Sequence, residues 1–459
     1  MNETIDPLSS PAQTDHDADS PKIQWLGICL LAVSLSIAAI FYYLRGTTST
    51  PNLTFELGYG LSTAICLSIA LWQACDPFAE AAQWFGIYWR IPSSVRGATL
   101  DAVASSMPEL FTGLFFVLVA VWGDRTLAER IQHSTDGYGS TIATCAGSAI
   151  YNLILIPALC CLTLVYTSKS HSELKIETEV LRRDGNWVLF TQFGLLLILF
   201  SPKLYWWMGL AGILAYLGYI VHLAIATGEH RRRLQSDHPL SGATDLAVLE
   251  RGGLPDSAHQ ASTEDHQSES HTSQQDDERA YFLFNLGSVR LNAMTSIIVL
   301  LLSTITAAGA CFLLVEITNA LSVAIEIPAF FVSVILVASV SSVPDTLLSI
   351  GAARRGDDSG AISNVFGSNI FDICIGMSIP LFVCCYLNNW EPINLVGDNA
   401  ETMRGVTGLR ILLFAMTSIA MFMFWRMKKV TATMSWFFCS MYLIFILYAV
   451  AGGLGWIVV

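Results

Sequence analysis

Eleven apolar stretches dominate this chain, at roughly 23–44, 57–75 (running on toward 90), 97–122, 138–163, 187–201, 204–226, 291–317, 328–350, 360–386, 408–425 and 433–456. A helix needs about 20 apolar residues to cross the hydrocarbon core of a bilayer. No water satisfies an exposed backbone there, so a spanning segment is either a helix or part of a closed barrel. The runs lack the alternation of polar and apolar residues that barrel strands show. The expectation is an all-α membrane protein with 11 transmembrane helices. Only 13% of residues are charged, about half the share of an ordinary soluble domain. The formal charge of −13 resides mostly in polar segments, and no basic patch suits nucleic acid.

The polar segments organise the rest. Residues 1–22 form an acidic N-terminal tail without the basic start of a signal peptide, so 23–44 reads as an extra N-terminal transmembrane helix that is retained. Residues 227–290 read as a disordered cytoplasmic loop. That loop holds His230, His238, His259, His266 and His271, either as a solvated linker or as a weak metal or pH sensor. The eleven cysteines nearly all fall in apolar spans and none forms a C-x-x-C pair. They read as small buried residues rather than a disulfide framework or zinc site.

With eleven crossings, alternate connections fall on opposite sides. One side collects eighteen Lys and Arg and the other six, or twelve against six once 227–290 is left out. The richer side is cytoplasmic by the positive-inside rule. The N-terminus is then cytoplasmic and the C-terminus outside, in the plasma membrane, or the inner membrane of a bacterium.

Inside this apolar frame a motif occurs twice. "IPSSVRGATLDAVASSMPELFTG" (91–113) aligns without gaps on "IPAFFVSVILVASVSSVPDTLLS" (327–349), an offset of 236. Leu100/Leu336, Ala102/Ala338, Ser105/Ser341, Ser106/Ser342 and Pro108/Pro344 are identical, Glu109 meets Asp345, and upstream Glu80 meets Glu316. A second match follows each copy: "GSAIYN" (147–152) and "GSNIFD" (367–372), at an offset of 220. The shortfall reads as an insertion in the first copy around "WGDRTLAERIQHSTDGYG" that enlarges an outside loop. Five spans separate matched residues, so the copies cross in opposite directions. The halves 57–226 and 291–456 are then two inverted-topology five-helix repeats, an arrangement that puts a binding site near the midplane.

Proline lacks a backbone donor and clashes with the carbonyl four residues earlier. Pro108 should free the carbonyl of Ala104, and Pro344 that of Val340. Freed carbonyls in a membrane face protein or a wet cavity. Ser105, Ser106 and Glu109 share a helix face, as do Ser341, Ser342 and Asp345; Ser148/Asn152 and Ser368/Asp372 are again four apart. The sum is three carboxylates, an amide, hydroxyls and carbonyls. Such oxygens suit calcium or sodium, whereas zinc or copper would call for Cys or His. A carboxylate at the midplane costs from about 3 to over 10 kcal/mol without compensation, which a cation would supply. Other readings remain for single residues: a simple kink for one Pro–acid pair, bonding to i−4 carbonyls for the serines, and a structural role near a helix end for Glu80 or Glu316. Asp101 has no acidic counterpart and is expected to pair with a nearby polar group.

These motifs resemble those of the sodium/calcium exchangers, within the cation/calcium antiporter superfamily, whose two inverted repeats carry G-T-S-x-P-E and G-S-N-x-x-N/D. "PELFTG", "GSAIYN", "GSNIFDI" and the Asp after Pro344 are most similar to the potassium-dependent sodium/calcium exchanger branch. The resemblance implies that Glu109 and Asp345 are central calcium ligands shared with sodium. It implies that Ser105, Ser106, Ser148, Asn152, Ser341, Ser342 and Ser368 complete the cation sites, that Ala102 and Ala338 offer carbonyls, and that Asp372 occupies the position linked to potassium. Here Ala104 and Val340 replace the motif glycine, and Ser105 and Ser341 replace its threonine. The implied protein is not an enzyme and has no cofactor. It is a secondary antiporter that exchanges calcium for sodium, with or without potassium, by alternating access. A proton/calcium antiporter of the same fold is the alternative. A passive calcium channel and an intramembrane hydrolase are the alternatives of another class; for the hydrolase, no intramembrane His or Lys stands ready as a base.

Overall fold

The apolar runs fold as helices because in lipid each backbone amide must find its partner within its own segment. The computed structural model describes residues 24–47, 52–89, 91, 96–121, 127–167, 173–237, 279–395 and 400–456. The acidic tail 1–22 and the central part of the long loop, 238–278, lie outside the described residues.

The helices are α1 (Trp25–Thr47), α2 (Leu53–Tyr88), α3 (Ala102–Val121), α4 (Leu127–Ile150), α5 (Ile156–Thr167), α6 (Asn186–Leu199), α7 (Trp206–Asp237) and α8 (Ala293–Ile325). They continue as α9 (Val343–Arg354), α10 (Asp358–Phe371), α11 (Ser378–Leu387), α12 (Ala400–Met427) and α13 (Ala432–Gly453). Helical pieces that abut end to end merge into longer rods, and ten of these rods are long and apolar enough to cross a membrane. The expected span 187–201 falls on α6, whose 14 residues rise only about 21 Å at about 1.5 Å each. Its N-terminal continuation, Leu181–Gly185, carries Arg182, Arg183 and Asp184.

α2 has 36 residues and α8 has 33, about 50 Å or more each, and the two lie against one another. Their shared layer is apolar, with Leu67, Leu71, Ala307 and Leu314 buried. The larger core surrounds α4, α5 and α10, where Ile142, Ile150, Leu153, Ile154, Val365, Phe366 and Ile370 are almost fully enclosed. Connections between helices are tied by two-stranded ribbons: β1 (Glu173–Lys175) pairs antiparallel with β6 (Lys429–Thr431), and β2 (Lys203–Leu204) with β5 (Ile393–Asn394). Lys429 adds an ion pair to Glu173 at 2.9 Å.

Two sequence expectations need correcting. The segment 227–290 is ordered at both described ends: α7 continues to Asp237, and β3 (Arg279–Phe282) and β4 (Gly287–Arg290) form a hairpin. The hairpin is held because α2 supplies acceptors that lipid could not. The Tyr281 N–H donates to Glu80 at 2.7 Å, the Phe284 N–H to Gln73 at 2.6 Å, and Phe284 packs edge-on against Trp72. The inserted stretch of the first copy is also not only a loop; from Leu127 onward it lengthens α4.

Four five-residue π-helical turns interrupt the rods that bear the motifs. Gly97–Asp101 precedes α3 and Ser333–Val337 precedes Ala338, at the same offset of 236 as the sequence repeat. Tyr151–Leu155 follows α4, and Asp372–Gly376 follows α10. Single π-turns inside α-helices recur at functional sites.

Candidate functional site

Two glycines set how closely the motif helices approach. A Cβ on Gly147 would stand 2.5 Å from the Val334 carbonyl and 2.8 Å from the Ala338 Cβ. A Cβ on Gly367 would stand 2.9 Å from the Ala98 carbonyl and 3.0 Å from the Ala102 Cβ. The glycine of each Gly-Ser motif therefore seats against the π-turn of the opposite copy. Ala98/Val334 and Ala102/Ala338 are themselves matched positions, so the contact obeys the internal symmetry of the sequence. No side chain fits at either glycine without moving backbone.

That approach brings the polar residues together. Ser105 is 1% exposed, and Ser106, Glu109, Ser148, Asn152, Ser341, Ser342, Asp345, Ser368 and Asp372 are 0% exposed. Ser148 is the hub. Its hydroxyl lies 3.1 Å from Glu109 Oε1, 2.8 Å from Asp372 Oδ2 and 2.9 Å from the Ser342 hydroxyl. The Asn152 amide donates to Asp345 Oδ2 at 3.1 Å and Asp372 Oδ2 at 3.3 Å. Asp345 also accepts from Ser368 at 2.7 Å and Ser106 at 3.4 Å, while Ser342 reaches Glu109 at 3.4 Å. Each of the three acids thus takes at least one donor from the other copy, and Glu109 and Asp345 take one from their own as well.

The remaining predicted residues sit at the edge. Ser105 gives its hydrogen to the Asp101 carbonyl at 2.8 Å, and Ser341 to that of Ala338 at 3.3 Å. Both hydroxyls still stand beside the opposite copy's acid, Ser105 near Asp345 and Ser341 near Glu109. Ala102 and Ala338 are buried next to them. The Ala338 carbonyl is already engaged by the Ser342 N–H at 3.2 Å. Glu80 lies elsewhere, bound to the hairpin, and Glu316 is exposed on α8. Asp101 accepts from Gln83 at 2.9 Å, the polar pairing expected of it.

Other residues of the site escaped the sequence reading. Asn364 donates to Ser349 at 3.0 Å and to the Asp345 carbonyl at 3.5 Å. Asn369 donates to the Ala149 carbonyl at 2.7 Å and accepts from Gln192 at 2.9 Å, fastening α10 to α4 beside Ser148. For Asn364 a signal existed: it precedes Ser368 by four residues, on the same face.

Among the described residues no Lys, Arg or His takes part in this network. Buried carboxylates without a counter-charge are expensive, and three oxygens here have no hydrogen-bond partner: Glu109 Oε2, Asn152 Oδ1 and Asp372 Oδ1. Among the described residues no three His, Cys, Asp or Glu side chains form a metal-binding group by themselves. The acids are joined through hydroxyls and an amide instead, so any cation held here would take a mixed oxygen shell of the kind hard cations accept.

Residues 59–225 and 295–451 match the family model described as sodium/calcium exchanger protein. Human sodium/potassium/calcium exchanger 5 is 26% identical over 375 residues, 70% of this chain and 68% of that protein. Chicken sodium/potassium/calcium exchanger 2 is 38% identical over 94 residues, 20% of this chain but 14% of that longer protein. The solved structure of the H+/Ca2+ exchanger CAX superimposes with a TM-score of 0.54 at 12% identity, covering 93% of this chain and 94% of that one. At that identity the likeness concerns the fold alone.

Proposed function

The chain belongs to the sodium/calcium exchanger family, and from that premise we propose that it is a secondary antiporter moving calcium against sodium, with potassium as a candidate co-substrate. Glu109 and Asp345 are the central ligands. Ser106, Ser148, Asn152, Ser342, Ser368 and Asp372 complete the cage, with Ser105, Ser341, Ala102 and Ala338 at its margin. The observation that carries this reading is the buried network joining both copies, with its three unpartnered oxygens. It needs positive charge, and its oxygen-only chemistry selects a hard cation. Nothing in it resembles a nucleophile with a placed base.

Two inverted five-helix halves, 57–226 and 291–456, with α1 added, account for the matched π-turns and for the cross-copy glycine seats. Eleven crossings are supported by the ribbons. β1 and β6 join one pair of connections, and β2 and β5 another. The 28-residue α12 separates Asn394 from Lys429, so the helical run from Thr178 through α6, packed beside α12, has to travel the same distance. The excess of Lys and Arg around 169–183 and 426–429 then marks the cytoplasmic face, with the N-terminus inside.

Calcium uptake into proteoliposomes under an imposed sodium gradient, with and without potassium, tests the reading. Sodium-independent uptake, or full uptake by both Glu109→Gln and Asp345→Asn, would rule it out. Three buried carboxylates also favour a second reading, exchange of calcium for protons. Uptake driven by a pH gradient with no sodium present would establish that instead.

A further inference from the structure

A cavity of about 670 Å³ opens beside the C-terminal parts of α3 and α8, lined by Phe116, His133, Asp136, Ser140, Asn319 and Ser322 among others. Asp136 and His133 are its titratable lining residues. They stand one turn apart on α4 and close enough to interact. Asp136 belongs to the stretch inserted in the first copy, so the second copy has nothing equivalent.

The cavity and the cage share helices. On α4 and its π-turn, Asp136, Ser140, Thr144, Ser148 and Asn152 recur every four residues, so each neighbours the next along a ridge that winds slowly round the helix from cavity to cage. The first two line the cavity and the last two belong to the cage. Thr144, between them, is fully buried. Ser140 lies about 12 Å from Ser148 along the helix, and Asp136 about 18 Å. On α3, Phe116 lines the cavity two turns beyond Glu109.

We propose that the inserted stretch builds a cation-capture site in this cavity, where Asp136, the hydroxyls of Ser140 and Ser322 and the amide oxygen of Asn319 hold a partly hydrated calcium ion. The site rests on the antiport reading for its purpose, the supply of the cage along the Ser140–Thr144–Ser148 ridge. A single carboxylate in a water-filled cavity binds calcium weakly, in the range of about 10⁻⁴ to 10⁻³ M known for sites with few charges. Its effect is on capture, so it lowers the calcium concentration needed for half-maximal exchange and leaves the chemistry of the cage alone.

The test uses the full-length protein with calcium as the probe. Equilibrium calcium binding to Asp345→Asn, in which the cage is disabled, is expected to retain one weak site that disappears when Asp136→Asn is added. In proteoliposomes, Asp136→Asn alone is expected to raise half-saturating calcium about five-fold while the maximal rate falls less than about two-fold. Asp136→Glu should recover most of the loss, and high ionic strength should shrink the difference by screening the carboxylate. Absence of residual binding in Asp345→Asn, its persistence in the double variant, or an unchanged half-saturation in Asp136→Asn would each overturn the proposal. Loss of exchange by the wild type, with the binding pair behaving as expected, would instead remove the antiport reading and leave the capture site standing.

Discussion

In the first copy of the repeat, α3 carries Ser105, Ser106 and Glu109 on an uninterrupted helix with Pro108 inside it. In the second, the helix stops after Ser341, Ser342 turns with φ −84° and ψ 1°, and α9 restarts at Val343 with Pro344 in its first turn. The two motifs, Ser-Ser-Met-Pro-Glu and Ser-Ser-Val-Pro-Asp, differ little, so the local sequence does not dictate which backbone is adopted. A proline is tolerated in a first turn and costs stability in an interior; the second copy places its proline in a first turn and the first copy in an interior. The cavity lies between the copies, with Phe116, Val119 and Ala120 of the first and Pro328, Ala329 and Phe330 of the second in its lining. On the antiport reading, the unequal copies are two settings of one device, and their exchange would move access from one face to the other.

Substituting the acids should break the comparison most completely. Asp345 accepts from Ser106, Asn152 and Ser368, whereas Glu109 accepts from Ser148 and Ser342 and keeps one free oxygen. Each substitution removes a negative oxygen ligand that a hard cation needs in this cage. Sodium-driven calcium flux should therefore fall to background in both Asp345→Asn and Glu109→Gln. Thermal unfolding should separate them, with Asp345→Asn losing more stability because it leaves more donors with a poorer acceptor.

The prolines probe that difference in position. Pro108→Ala restores an N–H inside α3, and an interior proline costs about 3 kcal/mol. The variant is expected to unfold at higher temperature and to exchange several-fold more slowly, because the first copy is fixed as a helix. Pro344→Ala should change both quantities less. Equal effects from the two substitutions would show that the copies are equivalent in solution.

Much of this site was legible in the residues because it is written twice. Identical serines and prolines at a constant offset singled out Ser106, Ser342, Glu109 and Asp345, and i, i+4 spacing added Ser148, Asn152, Ser368 and Asp372. All of them meet in one buried network. The π-turns were not legible: Gly97–Asp101 and Ser333–Val337 share one identity, Leu100/Leu336, and a π-turn is imposed by what the rod packs against. The seats of Gly147 and Gly367 could not be foreseen either, since a close approach belongs to two segments at once. The hairpin 279–290 was hidden because its stability comes from Gln73 and Glu80 on a distant helix. The hydropathy of 187–201 suggested a span, yet its rod gains length only by including charged Arg182, Arg183 and Asp184.

The two glycine seats give an intermediate effect. Gly147→Ala would press on a carbonyl at 2.5 Å, and Gly367→Ala on one at 2.9 Å. Overpacking of this kind costs about 1–3 kcal/mol. Both variants should lower the midpoint of thermal unfolding, Gly147→Ala more, and both should reduce flux by separating the copies. A tolerated Gly147→Ala would mean that the copies do not close as tightly as their helices suggest.

The serines should show the smallest difference and the finest. Ser342 lies at the break and connects Ser148 and Glu109, at 2.9 and 3.4 Å, while its counterpart Ser106 reaches Asp345 at 3.4 Å and stands beside Asp372. A neutral hydrogen bond is worth about 1 kcal/mol and one to a charged group about 1.5–3. Ser342→Ala should raise half-saturating calcium roughly ten-fold, and Ser106→Ala about three-fold or less, by the same reckoning. Because the two hydroxyls hold matched positions, the ratio of the effects measures how far the broken copy is better organised for a cation than the helical one. A ratio near one would show that the turn at Ser342 gives no advantage in binding, and that its use is confined to letting the helix move.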